Sequence, residues 1–121
     1  MNQNTPLQFD EVRKICREVF TGKMKDYGTS WRILRASSLT DQIYIKANRI
    51  RSIETKGTHK VDEGIRPEFI GIINYSIMAL IQLEIGSAEE PYMEAKKATA
   101  LYDKYFESSK ALMMNKNHDY G

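Results

Sequence analysis

Residues 67–85 constrain the fold more than any other part of the chain. The segment is apolar around most of its circumference: Phe69, Ile70, Ile72, Ile73, Ile77, Met78, Leu80, Ile81 and Leu83 leave little room for a polar face. A helix of this kind has no side to offer water, so other elements must cover it. Pro67 suits the first turn, and Gly86 suits the stop. The run Ile70–Ile73 alone fits a strand. The length and the flanking signals favour a helix from Pro67 to Ile85, placed centrally. Its apolar stretch, Phe69 to Leu83, is interrupted by Asn74, Ser76 and Gln82 and reads as too short for a bilayer span.

Three further segments have the pattern needed to cover it. A first helix is expected from Pro6 to about Thr21, with Phe9, Val12, Ile15, Cys16, Val19 and Phe20 on one stripe and Gly22 as its stop. A second should begin at Ser38 or Thr40 and end near Thr55, before Gly57, with Leu39, Ile43, Ala47, Ile50 and Ile53 facing inward. A fourth should start near Glu89 or Pro91 and run to about Met114. The expected fold is all-α, about four helices in a bundle.

The chain also repeats itself. Lys23-Met-Lys-Asp26-Tyr27-Gly28 recurs as Lys116-Asn-His-Asp119-Tyr120-Gly121, an offset of 93 residues. The same offset pairs Phe9 with Tyr102, Asp10 with Asp103, Val19 with Leu112 and Phe20 with Met113. Residues 1–86 therefore read as a first helical repeat unit. Residues 87–121 read as the start of a second, truncated one packed on the first. A truncated repeat leaves a face uncovered, so a homodimer is expected.

Charge narrows the chemistry. Residues 23–66 hold ten basic and five acidic side chains, whereas residues 67–121 hold five basic and eight acidic. A basic middle attracts phosphate-bearing ligands. The net charge of +2, with no basic run, argues against nucleic acid. One cysteine forms no internal disulfide, and Met1–Pro6 has no signal-peptide character, so a cytoplasmic protein is expected. Cys16, on the apolar stripe, reads as core.

Candidate site residues follow from residue chemistry. Lys46 and Arg49 are three apart on the second helix and share a face, a cation pair suited to phosphate that Arg32 or Arg35 could join, with surface salt bridging to Glu54 or Asp62 as the alternative. Tyr27 and Trp31 offer flat faces to a base, with Trp31 in the core as the structural alternative. Asp26 and Asp41 are polar groups beside these positions. Asn74, with Tyr75, sits in the apolar helix, so it either bonds a neighbouring helix or faces a pocket. Glu63 and Glu68, with Asp62, lie at the entry to the third helix and suit Mg²⁺, the helix dipole being the competing explanation.

Taken together, Lys25-Asp26-Tyr27-Gly28 with Ser30-Trp31-Arg32, Ser38-Leu39-Thr40-Asp41 with Lys46 and Arg49, and Glu68-Phe-Ile-Gly-Ile-Ile-Asn74-Tyr75 resemble a bacterial and phage family called nucleotide modification associated domain 1. The resemblance spans about residues 9–85 and implies a link to nucleotide or modified-base metabolism. A more distant likeness is to the MazG-type all-α nucleoside triphosphate pyrophosphohydrolases, which implies a MazG-like helix arrangement and Mg²⁺-dependent phosphoanhydride hydrolysis. Those enzymes bind the metal with paired ExxE and ExxD motifs. Here Gly71 and Asn74 stand where carboxylates would, in Glu68-x-x-Gly71-x-x-Asn74, and the second helix has no ExxE. The function expected is therefore binding of a nucleotide or other phosphorylated small molecule. The alternative is a non-catalytic helical interaction module.

Overall fold

The computed structural model describes residues 4–57 and 61–120. The second Asp-Tyr-Gly copy, at 119–121, lies outside the described side chains, as does Asp62. Four helices form: α1 (Thr5–Tyr27), α2 (Ala36–Lys56), α3 (Val61–Ile85) and α4 (Ala95–Tyr120), with a 3₁₀ turn at Ser30–Ile33. No strand occurs among the described residues. The fold is all-α, as the sequence pattern predicts.

Helix ends differ from expectation at glycine and proline. Gly22 does not stop α1. It lies inside the helix with open space around its Cα, and an interior glycine costs only about 0.5–1 kcal/mol relative to alanine. The stop is Gly28, whose φ of 61° and ψ of −145° lie where L side chains are strained, and whose N–H bonds the Met24 carbonyl at 2.8 Å. Gly28→Ala is expected to lower stability by about 1–3 kcal/mol, and Gly22→Ala to raise it by about 0.5–1 kcal/mol. Urea denaturation midpoints check both signs. α2 ends at Gly57 in the left-handed conformation, as predicted. α3 starts earlier than predicted, so Pro67 lies inside it and removes the N–H that the Glu63 carbonyl would accept from. Pro91 stands in the extended linker before α4 rather than at a helix start.

α2 and α3 form a close hairpin, with Gly64 against the Ile53 side chain. α1 and α4 also pack on α3 and on each other. The core contains Cys16, Phe20, Trp31, Ile77, Ile81, Ala98, Tyr102 and Phe106. Phe20 stacks on Tyr102 with ring centroids 4.3 Å apart, and Phe9 meets Phe106 edge-on at 5.8 Å. Such pairs contribute about 0.5–1.5 kcal/mol each beyond their buried area. Burial pushes the Cys16 thiol up, which fits an inert core residue.

Three ion-pair contacts set the antiparallel register of α1 on α4. Asp10 meets Lys110 at 2.8 Å, Arg13 meets Glu107 at 2.7 Å, and Arg17 meets Asp103 at 2.9 Å. The 93-residue offset maps the Asp10–Lys110 pair onto Asp103–Arg17.

The apolar helix is longer than its sequence reading. Glu63–Ile85 spans 23 residues, long and apolar enough by length and composition to cross a bilayer. The extra turns that precede Pro67 carry the helix beyond Phe69–Leu83. Here α3 packs against three helices, and its polar Asn74 and Gln82 bond neighbouring elements. It is nonetheless not fully covered: Phe69, Leu80, Leu83 and Ile85 are exposed.

Candidate functional site

Two adjoining clefts lie along α1. The first, about 470 Å³, opens between α1, α2 and α3, and its walls include Lys23, Lys46, Glu63, Arg66, Asn74 and Tyr75 over an apolar floor of Val19, Phe20, Ile70 and Met78. The second, about 580 Å³, extends toward the α1 terminus past Tyr27, Gly28, Trp31 and Leu34. They share Phe20, Lys23, Tyr75 and Met78. Both volumes suit a small organic ligand.

Lys46 anchors the first cleft. Its side chain is 19% exposed and crosses α3 directly over Gly71. A β-carbon built on Gly71 would stand 2.5 Å from Lys46 Cε, so only glycine leaves this path open. Nζ then donates to Glu68 Oε2 at 3.2 Å and lies 5.9 Å from the Tyr75 ring centre. Arg49 reaches the same carboxylate at 3.7 Å while remaining largely exposed. Lys46 and Arg49 thus converge, as their spacing predicts, and Glu68 is the anion between them. The pairing of Glu63 with Glu68 as a Mg²⁺ site meets a physical obstacle: two cations already neutralise Glu68. Among the described residues no group of three or more carboxylate, histidine or cysteine side chains is placed to hold a metal ion.

The remaining candidates separate. Tyr27 is 72% exposed and lines the second cleft with its ring accessible. Trp31 touches that cleft but packs in the core beside Phe20, with ring centroids 6.1 Å apart. Asp26 is exposed on the last turn of α1, which continues through Tyr27 rather than giving way to a loop. Asp41 is exposed on α2, and neither aspartate lines either cleft.

Arg32 and Asn74 are structural. Arg32 is 6% exposed, and its guanidinium donates to Gln82 Oε1 and to the Gly86 carbonyl, the latter at 2.8 Å. Burial pulls its pKa below the ordinary arginine value. Gln82 in turn donates to the carbonyls of Arg32 at 2.9 Å and Leu34 at 2.6 Å. This cluster ties the 3₁₀ turn to the end of α3 and holds Arg32 in the interior, away from Lys46 and Arg49. Asn74 borders the first cleft, but its amide is committed elsewhere. Nδ2 donates to the Cys16 carbonyl at 3.1 Å, and Oδ1 accepts from the Tyr102 hydroxyl at 2.7 Å. Of its two predicted alternatives, bonding a neighbouring helix is the one realised.

Lys23, Arg66 and Tyr75 complete the clefts. Lys23 stands at their junction, and Arg66 on the rim of the first. The signal for Lys23 was its recurrence as Lys116 in the repeated motif; Arg66 carried none beyond its charge.

No curated relative and no solved structure matches the chain at significant similarity. A family model described as nucleotide modification associated domain 1 matches residues 23–83. The matched segment begins at Lys23 and includes Lys46, Glu68, Gly71 and Tyr75, so it covers most of the cleft just described. On that match over half its length, the chain belongs to the nucleotide modification associated domain 1 family.

Proposed function

We propose that this protein binds a nucleotide or a similarly phosphorylated small molecule along the paired clefts. The observation that carries the reading is the division of labour between them. Lys23, Lys46 and Arg66 gather positive charge at the first cleft, and Tyr27 and Tyr75 give aromatic surface along the second. Phosphate prefers the former and a flat base the latter. The reading stops at binding, because among the described residues Glu63 is the lone carboxylate on the first cleft's wall and Glu68 is held by two cations. Hydrolysis through a Mg²⁺ ion would first require Glu68 to leave them.

The test is thermal unfolding against a panel of ribo- and deoxynucleotides. A ligand at 100-fold its dissociation constant adds about 2.7 kcal/mol of stability, a readily measured shift. Lys46→Ala is expected to abolish the shift while leaving the helical circular dichroism spectrum unchanged. A flat panel on well-folded protein removes the nucleotide reading.

The exposed apolar residues of α3, Phe69, Leu80, Leu83 and Ile85, favour a second reading, a non-catalytic module that covers this face with another chain. A homodimer is expected under either reading, so the nucleotide panel rather than the oligomeric state separates the two. The duplicated ion pair between α1 and α4 supports treating α4 as the first helix of a second repeat. A cytoplasmic setting remains our reading of the single buried cysteine.

A further inference from the structure

We propose that the first cleft is a phosphomonoester site, one that takes a nucleoside monophosphate without a divalent cation. The inference rests on the nucleotide reading above and narrows it.

Charge balance carries the argument. Among the described residues the cleft wall holds three cations, Lys23, Lys46 and Arg66, against the single carboxylate of Glu63. Including the Glu68–Arg49 pair that Lys46 joins leaves the net at +2. A phosphomonoester carries close to two negative charges at neutral pH. It neutralises this set. A triphosphate overfills it unless a metal ion accompanies the ligand, and a Mg²⁺ ion bound through protein uses one or two free carboxylates. Glu68 is not free: it already serves as an internal anion on Lys46 and Arg49, in the position an incoming phosphate oxygen would contest.

Geometry adds a positioning residue. Lys46 reaches this place only because Gly71 lacks a side chain, with Cδ and Cε at 2.6 and 2.5 Å from where a β-carbon would be. The crowded atoms belong to the flexible end of a lysine, so Gly71→Ala moves Lys46 rather than unfolding α3. The apolar floor of Val19, Phe20, Ile70 and Met78 lies beside the cations, so a ligand seated by its phosphate lays its remaining bulk on apolar surface.

Isothermal titration of the full chain tests this with a matched series of nucleoside, nucleoside monophosphate and nucleoside triphosphate, each with and without Mg²⁺. The monophosphate is expected to bind at least ~10-fold more tightly than the nucleoside, the gain coming from charge-assisted hydrogen bonds to phosphate. It should bind no less tightly than the triphosphate, with no gain on adding Mg²⁺. Gly71→Ala should weaken the monophosphate at least ~10-fold while circular dichroism and the melting temperature stay close to wild type. Lys46→Ala provides the same readout without altering α3. A triphosphate that binds more tightly than the monophosphate, or binds only with Mg²⁺, overturns the proposal while leaving the nucleotide reading intact. So does a nucleoside that binds as well as its monophosphate. Unchanged monophosphate affinity in both variants removes Lys46 and Gly71 from the site. Absence of binding across the whole series defeats the nucleotide reading itself.

Discussion

Gln82→Leu is expected to destabilise the protein by about 2–3 kcal/mol, because it takes one partner from a buried guanidinium and leaves the Leu34 carbonyl unpaired, while the Arg32 carbonyl keeps the Ala88 N–H at 2.8 Å. Leucine fills a similar volume, so the loss isolates polar pairing from packing. In the wild-type protein one amide serves both sides: Oε1 accepts from Arg32, and Nε2 donates to the Arg32 and Leu34 carbonyls. Gln82 is 3% exposed, so water has little access to replace it. The Gly86 carbonyl stays bonded to Arg32 at 2.8 Å, which keeps the cost below that of a fully orphaned charge. Urea denaturation reads the change as a lower midpoint with an unchanged slope. A loss under about 1 kcal/mol would mean that solvent enters the 3₁₀ turn and pairs these groups instead.

The second large effect centres on Asn74. Asn74→Ala removes the partner of the Tyr102 hydroxyl and the second donor to the Cys16 carbonyl, which keeps its helical bond within α1, at a junction of α1, α3 and α4. The expected cost is about 3 kcal/mol, and Tyr102→Phe alone should cost about 1–2 kcal/mol by leaving Asn74 Oδ1 unpaired. The combination Asn74→Ala with Tyr102→Phe takes out donor and acceptor together. It should fall short of the summed single losses by about 1–2 kcal/mol. Additive losses would show that the hydroxyl and amide do not depend on one another. The same phenol governs alkaline stability. Burial raises its pKa far above the usual tyrosine range, with Cys16 and Asp103 adding to the effect. The folded state therefore keeps a proton that the unfolded chain releases above about pH 10. Stability from this group is complete below that pH and declines as pH rises beyond it, and Tyr102→Phe should flatten the decline.

The helical class was legible because four segments carry clear apolar periodicity and one is apolar nearly all round. Gly57 was legible as a stop because it follows directly on the apolar stripe of α2. Gly22 misled because a glycine inside a helix is a modest penalty that packing overcomes. The Ser30–Ile33 turn is too short to show a period, so Trp31 and Arg32 looked available for a ligand when tertiary contacts had claimed both. The convergence of Lys46 and Arg49 followed from helical spacing, whereas the passage of Lys46 over Gly71 depends on how α2 seats against α3. Asn74 was legible as a buried amide in need of partners. Which partners it has is set by Cys16 and Tyr102, which lie 58 and 28 residues away in sequence.

The antiparallel seating of α1 on α4 has an entropic consequence. Its ion pairs join residues 86 to 100 positions apart. Closing a loop of that length costs about 4 kcal/mol in chain entropy before any constant term. The ion pairs that set the register are largely solvent-facing, and pairs of that kind contribute about 0.2–1 kcal/mol each. They cannot close the circuit alone. The ring stack of Phe20 on Tyr102 and the edge contact of Phe9 with Phe106 supply the free energy, and the charges decide which of the many ways of laying two helices together is chosen. Salt should therefore loosen the choice of register well before it loosens the seam.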